Sequence, residues 1–301
     1  MPEVVTPIRV VDRSAGTGTM VRAALPAVPG LNRLPGVRRT GTELPDVVLR
    51  RPLVTVERDH VDRYAAVCGF PVKDTAPLPY LHLLAFPLHM ELMTDPSFPF
   101  PAIGTVHLEN VITQHRPVGI GETVEVSVGA RDLRASTKGR AFDIVASAKA
   151  GGETVWESTS TYLRLGGGDK EHGDPGTTFA PVEPTAPEWR LPADLGRRYA
   201  AVSGDRNPIH LYPLTAKAFG FPRHIAHGMW SLARCVAALE NRLPDAVRVE
   251  VGFKKPLFLP GRVRFGVRPS EAGWEFSLSS ASSGAPHLLG RTVAEAAPSR
   301  A

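Results

Sequence analysis

The chain has 301 residues, of which 43% are hydrophobic and 22% charged, with a net charge of +5. That length supplies one large or two medium domains with a substantial core. The modest charge is spread along the chain, which argues against nucleic-acid binding, and no apolar stretch approaches the roughly 20 residues that span a bilayer. The start MPEVVTPIRVVDRS lacks the apolar core of a signal peptide, so a cytoplasmic location is expected. Cys68 and Cys235 fall in apolar, helix-like settings with no metal or redox spacing, and are expected as buried reduced thiols.

Residues 1–45 contain Gly, Pro and Arg without sustained periodicity and read as a partly ordered arm whose segment 21–36 packs on a neighbouring surface. The first regular pattern is Val54-Thr55-Val56, followed by a helix over 59–68 with Asp59 as its N-cap. Leu88 to Met93 extend a second helix expected to begin at Pro87, since proline is tolerated in a first turn. His82 and His89 read as packing or lining residues. Val124, Val126 and Val128 alternate with polar residues, as do Phe142, Ile144 and Ala146, so antiparallel sheet with one buried face follows. A Gly-, Pro- and Thr-rich stretch, 166–189, reads as a linker.

The order of elements then recurs. Tyr64-Ala65-Ala66-Val67-Cys68-Gly69-Phe70 matches Tyr199-Ala200-Ala201-Val202-Ser203-Gly204-Asp205, and His115 to Glu122 resembles Lys254 to Gly261, so a half-chain unit is duplicated. Met229, Leu232, Val236 and Leu239 mark one face of a second central helix, and Val247 to Phe253, Val263 to Val267 and Trp274 to Leu278 alternate as strands. The arginines at 262, 264 and 268 read as the solvated side of a strand rather than a phosphate-contacting face.

The chemistry concentrates between Tyr199 and Gly228. Ser203-Gly204 can stop a helix, and Pro208 pushes Asn207 out of the helical basin, so Asp205, Asn207 and His210 share a loop. A neutral imidazole can take a proton from water near pH 7 while a carboxylate orients it or carries the second transfer. Gly228, at the first turn of the apolar helix, offers a free N–H to an oxygen gaining negative charge. At one constant offset Phe70 stands for Asp205 and Thr75 for His210; with Phe86-Pro87 opposite His227-Gly228, the first copy also lacks the N–H donor. His224 and His227 are spaced as a metal pair, but no further cluster completes a shell. No metal and no cofactor are expected.

Asp205-Arg206-Asn207-Pro208-Ile209-His210, preceded by Tyr199-Ala200-x-x-Ser203-Gly204 and followed by Ala226-His227-Gly228-Met229, resembles the hydratase-2 motif of MaoC-like enoyl-thioester hydratases and dehydratases. The resemblance implies an α+β double hotdog, each repeat an antiparallel sheet wrapped around a central helix. It also implies that Asp205 and His210 activate water, that Gly228 donates the oxyanion N–H, and that Asn207 and Ser203 support the loop. The expected organisation is an arm (1–45), a catalytically degenerate N-terminal repeat (46–165), a linker (166–189) and a C-terminal repeat carrying the active site (190–297). Whole-chain likeness is to the two-repeat actinobacterial type. The implied reaction is reversible hydration of trans-2-enoyl thioesters to (R)-3-hydroxyacyl thioesters in fatty-acid metabolism. The implied partner is an acyl thioester of coenzyme A or acyl carrier protein, with no nucleic acid and no membrane. A homodimer, the chain length of the substrate and the choice of carrier stay open. A hotdog thioesterase would use the same N–H donor against the carbonyl, and a non-catalytic acyl-thioester-binding module would keep only the pocket.

Overall fold

Alternation of apolar and polar residues builds the strands where it was expected, in a computed structural model that describes residues 7–11, 41–102, 104–174 and 176–296. Most of the predicted arm, including segment 21–36, lies outside the described residues. By its contacts the chain divides into two units, residues 1–55, 84–108 and 123–176, and residues 56–83, 109–122 and 177–301.

In the first unit, β1 (Ile8–Val10) runs parallel to β2 (Val48–Thr55), which pairs antiparallel with β4 (Thr123–Ser136). The meander continues through β5 (Gly139–Ala150) to β6 (Glu153–Leu165). Val124, Val126 and Val128 are buried while Glu125 and Ser127 between them are not, the mark of a sheet with one covered face. Phe98, Phe100 and Phe142 pack ring against ring in this core.

The second unit holds α1 (Arg58–Cys68), the end of β3 (Thr105–Gln114), β7 (Trp189–Leu191), α3 (Leu195–Ser203), α4 (Pro208–Leu211), α5 (Pro213–Ala218) and α6 (Gly228–Leu239). It also holds β8 (Val247–Phe253), β9 (Gly261–Ser270), β10 (Gly273–Ser280) and β11 (Pro286–Ala294), and its sheet order is β3-β8-β11-β10-β9-β7. α6 buries Met229, Trp230, Leu232, Ala233, Cys235, Val236 and Leu239, so it is covered nearly all round, as a central helix must be. On β9, Arg262 pairs with Glu188 and Arg268 with Glu275, which fits the solvated reading of that stripe. Both cysteines are buried, and burial pushes the Cys68 thiol up to about 12. No helix among the described residues is long and apolar enough to cross a membrane. Antiparallel sheet with a buried central helix in each half of the chain is the α+β double hotdog implied by the sequence.

Three expectations need correction. α1 is capped by Glu57, and Asp59 lies inside its first turn. The helix α2 (Leu81–Thr94) begins well before Pro87, which sits in its interior. Leu81 to Ala85 are buried with Leu88, Leu92 and Met93, and burial on this scale outweighs the roughly 3 kcal/mol that an interior proline costs. The repeat also changes register after the matched helices. α1 and α3 end alike, at Gly69 (φ 82°) and Gly204 (φ 74°), each in the left-handed region with its N–H on the carbonyl four residues back. Beyond them, Thr75 bridges Gly119 and Ala76 N–H bonds Val118 O, just as Ile225 bridges Phe258 and Ala226 N–H bonds Leu257 O. Thr75 therefore stands for Ile225, and Leu78 for Gly228. Residues 70–75 are the whole loop of the first copy, whereas the second copy spends 205–225, including α4 and α5, on the same connection. The first copy lacks the segment that carries the imidazole.

Candidate active site

A ladder of short turns shapes the loop after α3. Ser203 Oγ accepts the N–H of Asp205 (3.2 Å), Asp205 Oδ1 accepts that of Asn207 (3.1 Å), and Asn207 Oδ1 accepts that of Ile209 (3.4 Å). Each side chain bonds the backbone two residues on, the habit of Asp, Asn and Ser in turns. Asn207 thereby caps α4, with Pro208 at its first position. One turn of helix then delivers His210 inward, where it is 8% exposed.

His210 Nδ1 donates to Ile225 O at 2.8 Å, which leaves the lone pair of Nε2 free to act as a base. Burial lowers the pKa of this imidazole, partly opposed by the Asp205 charge, so the ring is neutral at pH 7. The Asp205 side chain keeps 25% of its surface exposed and is the wet side of the pair. α3 presses closely on this loop: a Cβ on Gly196 would lie 2.0 Å from the carbonyl oxygen of His210.

His227, the residue before Gly228, enters the same site. Its Nε2 donates to the backbone carbonyl of Asp205 at 3.0 Å and lies 3.9 Å from Asp205 Oδ2, and its ring stacks on that of His210 with centroids 3.8 Å apart. Burial, then the neighbouring His210, holds its pKa well below the usual histidine value. His227 is the N-cap of α6, so the N–H of Gly228 opens that helix directly beside the stacked rings, at the positive end of the dipole. Asp205, His210 and His227 each offer a potential ligand atom within 4.8 Å of the others, so these are the residues that could hold a metal. One nitrogen of each imidazole is already bound to a backbone carbonyl.

Asp205, His210 and His227 lie together, Ser203 and Asn207 shape the same loop, and Gly228 follows His227 at the start of α6. His227 was missed, being paired in the sequence with His224; His224 instead turns its Nε2 to Ala193 O at 2.7 Å. His82, at the start of α2, reads from the sequence as a packing or lining residue. It is buried, and burial lowers its pKa to about 4 against an opposing pull from the Asp205 charge, which places it within electrostatic reach of the site. A histidine close before a glycine at a helix start was the one local signal for His227; none existed for His82.

Residues 175–272 match the family of MaoC like domains. The chain is 39% identical over 282 residues to 3-hydroxyacyl-thioester dehydratase X of Mycobacterium tuberculosis, covering 91% of this chain and 96% of that one. It is 30% identical over 167 residues to the enoyl-CoA hydratase ChsH3 of the same organism, covering 52% of this chain and 57% of that one. The crystal structure of HtdX of Mycobacterium tuberculosis superposes with a TM-score of 0.73 at 37% identity, over 82% of this chain and all (100%) of that one. The chain belongs to the MaoC-like family of 3-hydroxyacyl-thioester dehydratases.

Proposed function

We propose that this protein is a hydro-lyase that reversibly adds water across the double bond of trans-2-enoyl thioesters, giving (R)-3-hydroxyacyl thioesters in fatty-acid metabolism. The observation that carries the reading is the convergence of Asp205 and a neutral His210 beside the N–H of Gly228. In hydration, His210 Nε2 takes one proton from a water oriented by Asp205 as the oxygen bonds to C3. The C2–C3 π pair moves toward the thioester, whose oxygen gains charge against the Gly228 N–H. The proton taken from water then returns to C2 from the Asp205–His210 pair, so atoms balance. Dehydration runs the same steps backwards.

Asn207 and Ser203 hold the loop in shape, and the catalytic work falls to the C-terminal repeat, 190–297. The N-terminal repeat, 46–165, is degenerate, with 1–45 an arm and 166–189 a linker. The substrate is carried on coenzyme A or acyl carrier protein, and the enzyme acts in the cytoplasm without a cofactor. The test is an assay over short, medium and long enoyl thioesters that follows loss of the double bond, product configuration and free thiol together. Hydration to the R product without thiol release is expected. Thiol release without hydration would make the protein a thioesterase, and binding without turnover a carrier module.

A further inference from the structure

α6 has a second face. At 100° per residue, Trp230 and Arg234 stand roughly 200° to 240° round the helix from Gly228. Gly228 itself faces Phe253, whose ring a Cβ would meet at 3.1 Å. On the Trp230 side a cavity of about 350 Å³ opens among the end of α1, β7, the start of α3 and α6. Arg190, Arg198 and Arg234 line it together with Trp189 and Trp230, and none of its lining residues is acidic. Among the described residues no carboxylate forms an ion pair with any of the three arginines, whereas Arg58, Arg116, Arg248, Arg262, Arg268 and Arg291 of this unit each have one.

Arg234 is held in place. Its guanidinium lies 4.3 Å from the Trp189 ring, and that indole is stacked on Phe265. It also reaches Gly69 O at 3.5 Å, against a backbone so close that a Cβ on Gly69 would sit 2.2 Å from its Nη1. Burial works against this charge, with no carboxylate to offset it. Trp230 is fixed too, its Nε1–H on Val67 O at 3.1 Å. A fixed guanidinium, two more at the rim and an apolar wall are the parts of a site for an oxyanion carried on an organic group. The volume is at the small end for ligand pockets, too large for one phosphate group and suited to a nucleoside monophosphate.

We propose that this cavity binds a phosphorylated ligand of nucleotide size, its phosphate held by Arg190, Arg198 and Arg234, at a place that no residue of the Asp205–His210 loop lines. The same chemistry has two sources, a free nucleotide and the nucleotide end of a coenzyme A thioester. Adenosine monophosphate and inorganic phosphate are titrated into the full chain by calorimetry and tryptophan emission, without any need for turnover. The monophosphate binds with Kd below about 1 mM. Arg234→Met and Arg198→Ala each weaken it by ~10-fold or more, with unchanged thermal midpoints for the exposed Arg198 variant. If the monophosphate also raises KM for crotonyl-coenzyme A, the nucleotide end of the thioester is the source; if it binds and leaves KM alone, the free nucleotide is. Absence of binding up to about 10 mM, or affinity unchanged in both variants, overturns the site.

Discussion

Gly196→Ala tests how tightly the fold positions His210. The new Cβ would lie 2.0 Å from the His210 carbonyl oxygen and 3.0 Å from its carbonyl carbon. Contacts below about 3 Å do not persist, so α3 and α4 must separate by about 1 Å. His210 moves with its backbone, and its 2.8 Å bond to Ile225 O must stretch or break. A misplacement of about 1 Å costs up to ~100-fold in rate, and overpacking of this kind costs about 1–3 kcal/mol in stability. Gly220→Ala separates the two effects. Gly220 has φ 84° with open space around it, so alanine there pays backbone strain of about 1–2 kcal/mol without pushing on His210. Steady-state hydration of crotonyl-coenzyme A, with thermal melting alongside, is expected to show similar melting losses and a fall in kcat of ~10- to 100-fold for Gly196→Ala alone. Equal activity of the two variants would refute the claim that close approach of α3 sets the imidazole.

Three further outcomes follow from the same geometry. Burial lowers the His210 pKa, and the base must be neutral, so kcat/KM for hydration should fall only as pH drops through a value below about 6.5; an acid limb at or above neutrality would contradict the assignment. His82 titrates near 4 in the fold and near 6.5 when unfolded, so its contribution is complete above about 6.5 and is lost as pH falls toward 4, about 3 kcal/mol in all. Urea unfolding at steps across that window should show the decline, and His82→Gln should reduce its slope, leaving the share that the buried His210 and His227 carry; an unchanged slope would mean that His82 carries none of the acid sensitivity. Thr75→Ala and Phe70→Leu should each change turnover by well under ~10-fold, because no proton-transfer group is lost; larger losses with an intact fold would give the first copy a chemical role.

Local turn chemistry is why the shape of the candidate loop was readable in advance. Ser203, Asp205 and Asn207 each bond two residues on, and Pro208 fixes the start of α4, so this geometry is encoded within a few consecutive positions. The matched ends of α1 and α3 were legible for the same reason, since each needs a glycine in the left-handed region. Non-local packing hid the rest. A proline within α2 reads as a helix start until the burial around it is known, and a constant repeat offset conceals that 205–225 has no counterpart beyond 70–75. His227 and His82 gain their place from the fold: one stacks on a ring from another loop, the other senses a carboxylate far along the chain.

The central claim is that one carboxylate and one imidazole share a water beside a backbone N–H. Side-by-side hydration kinetics of the Asp205→Asn and His210→Ala variants on crotonyl-coenzyme A test it most directly, with circular dichroism to confirm the fold. Each should lose at least ~100-fold in kcat, and the double variant should lose little more than the worse single one, because the two groups act as a unit. Near-normal hydration by either variant would contradict the account.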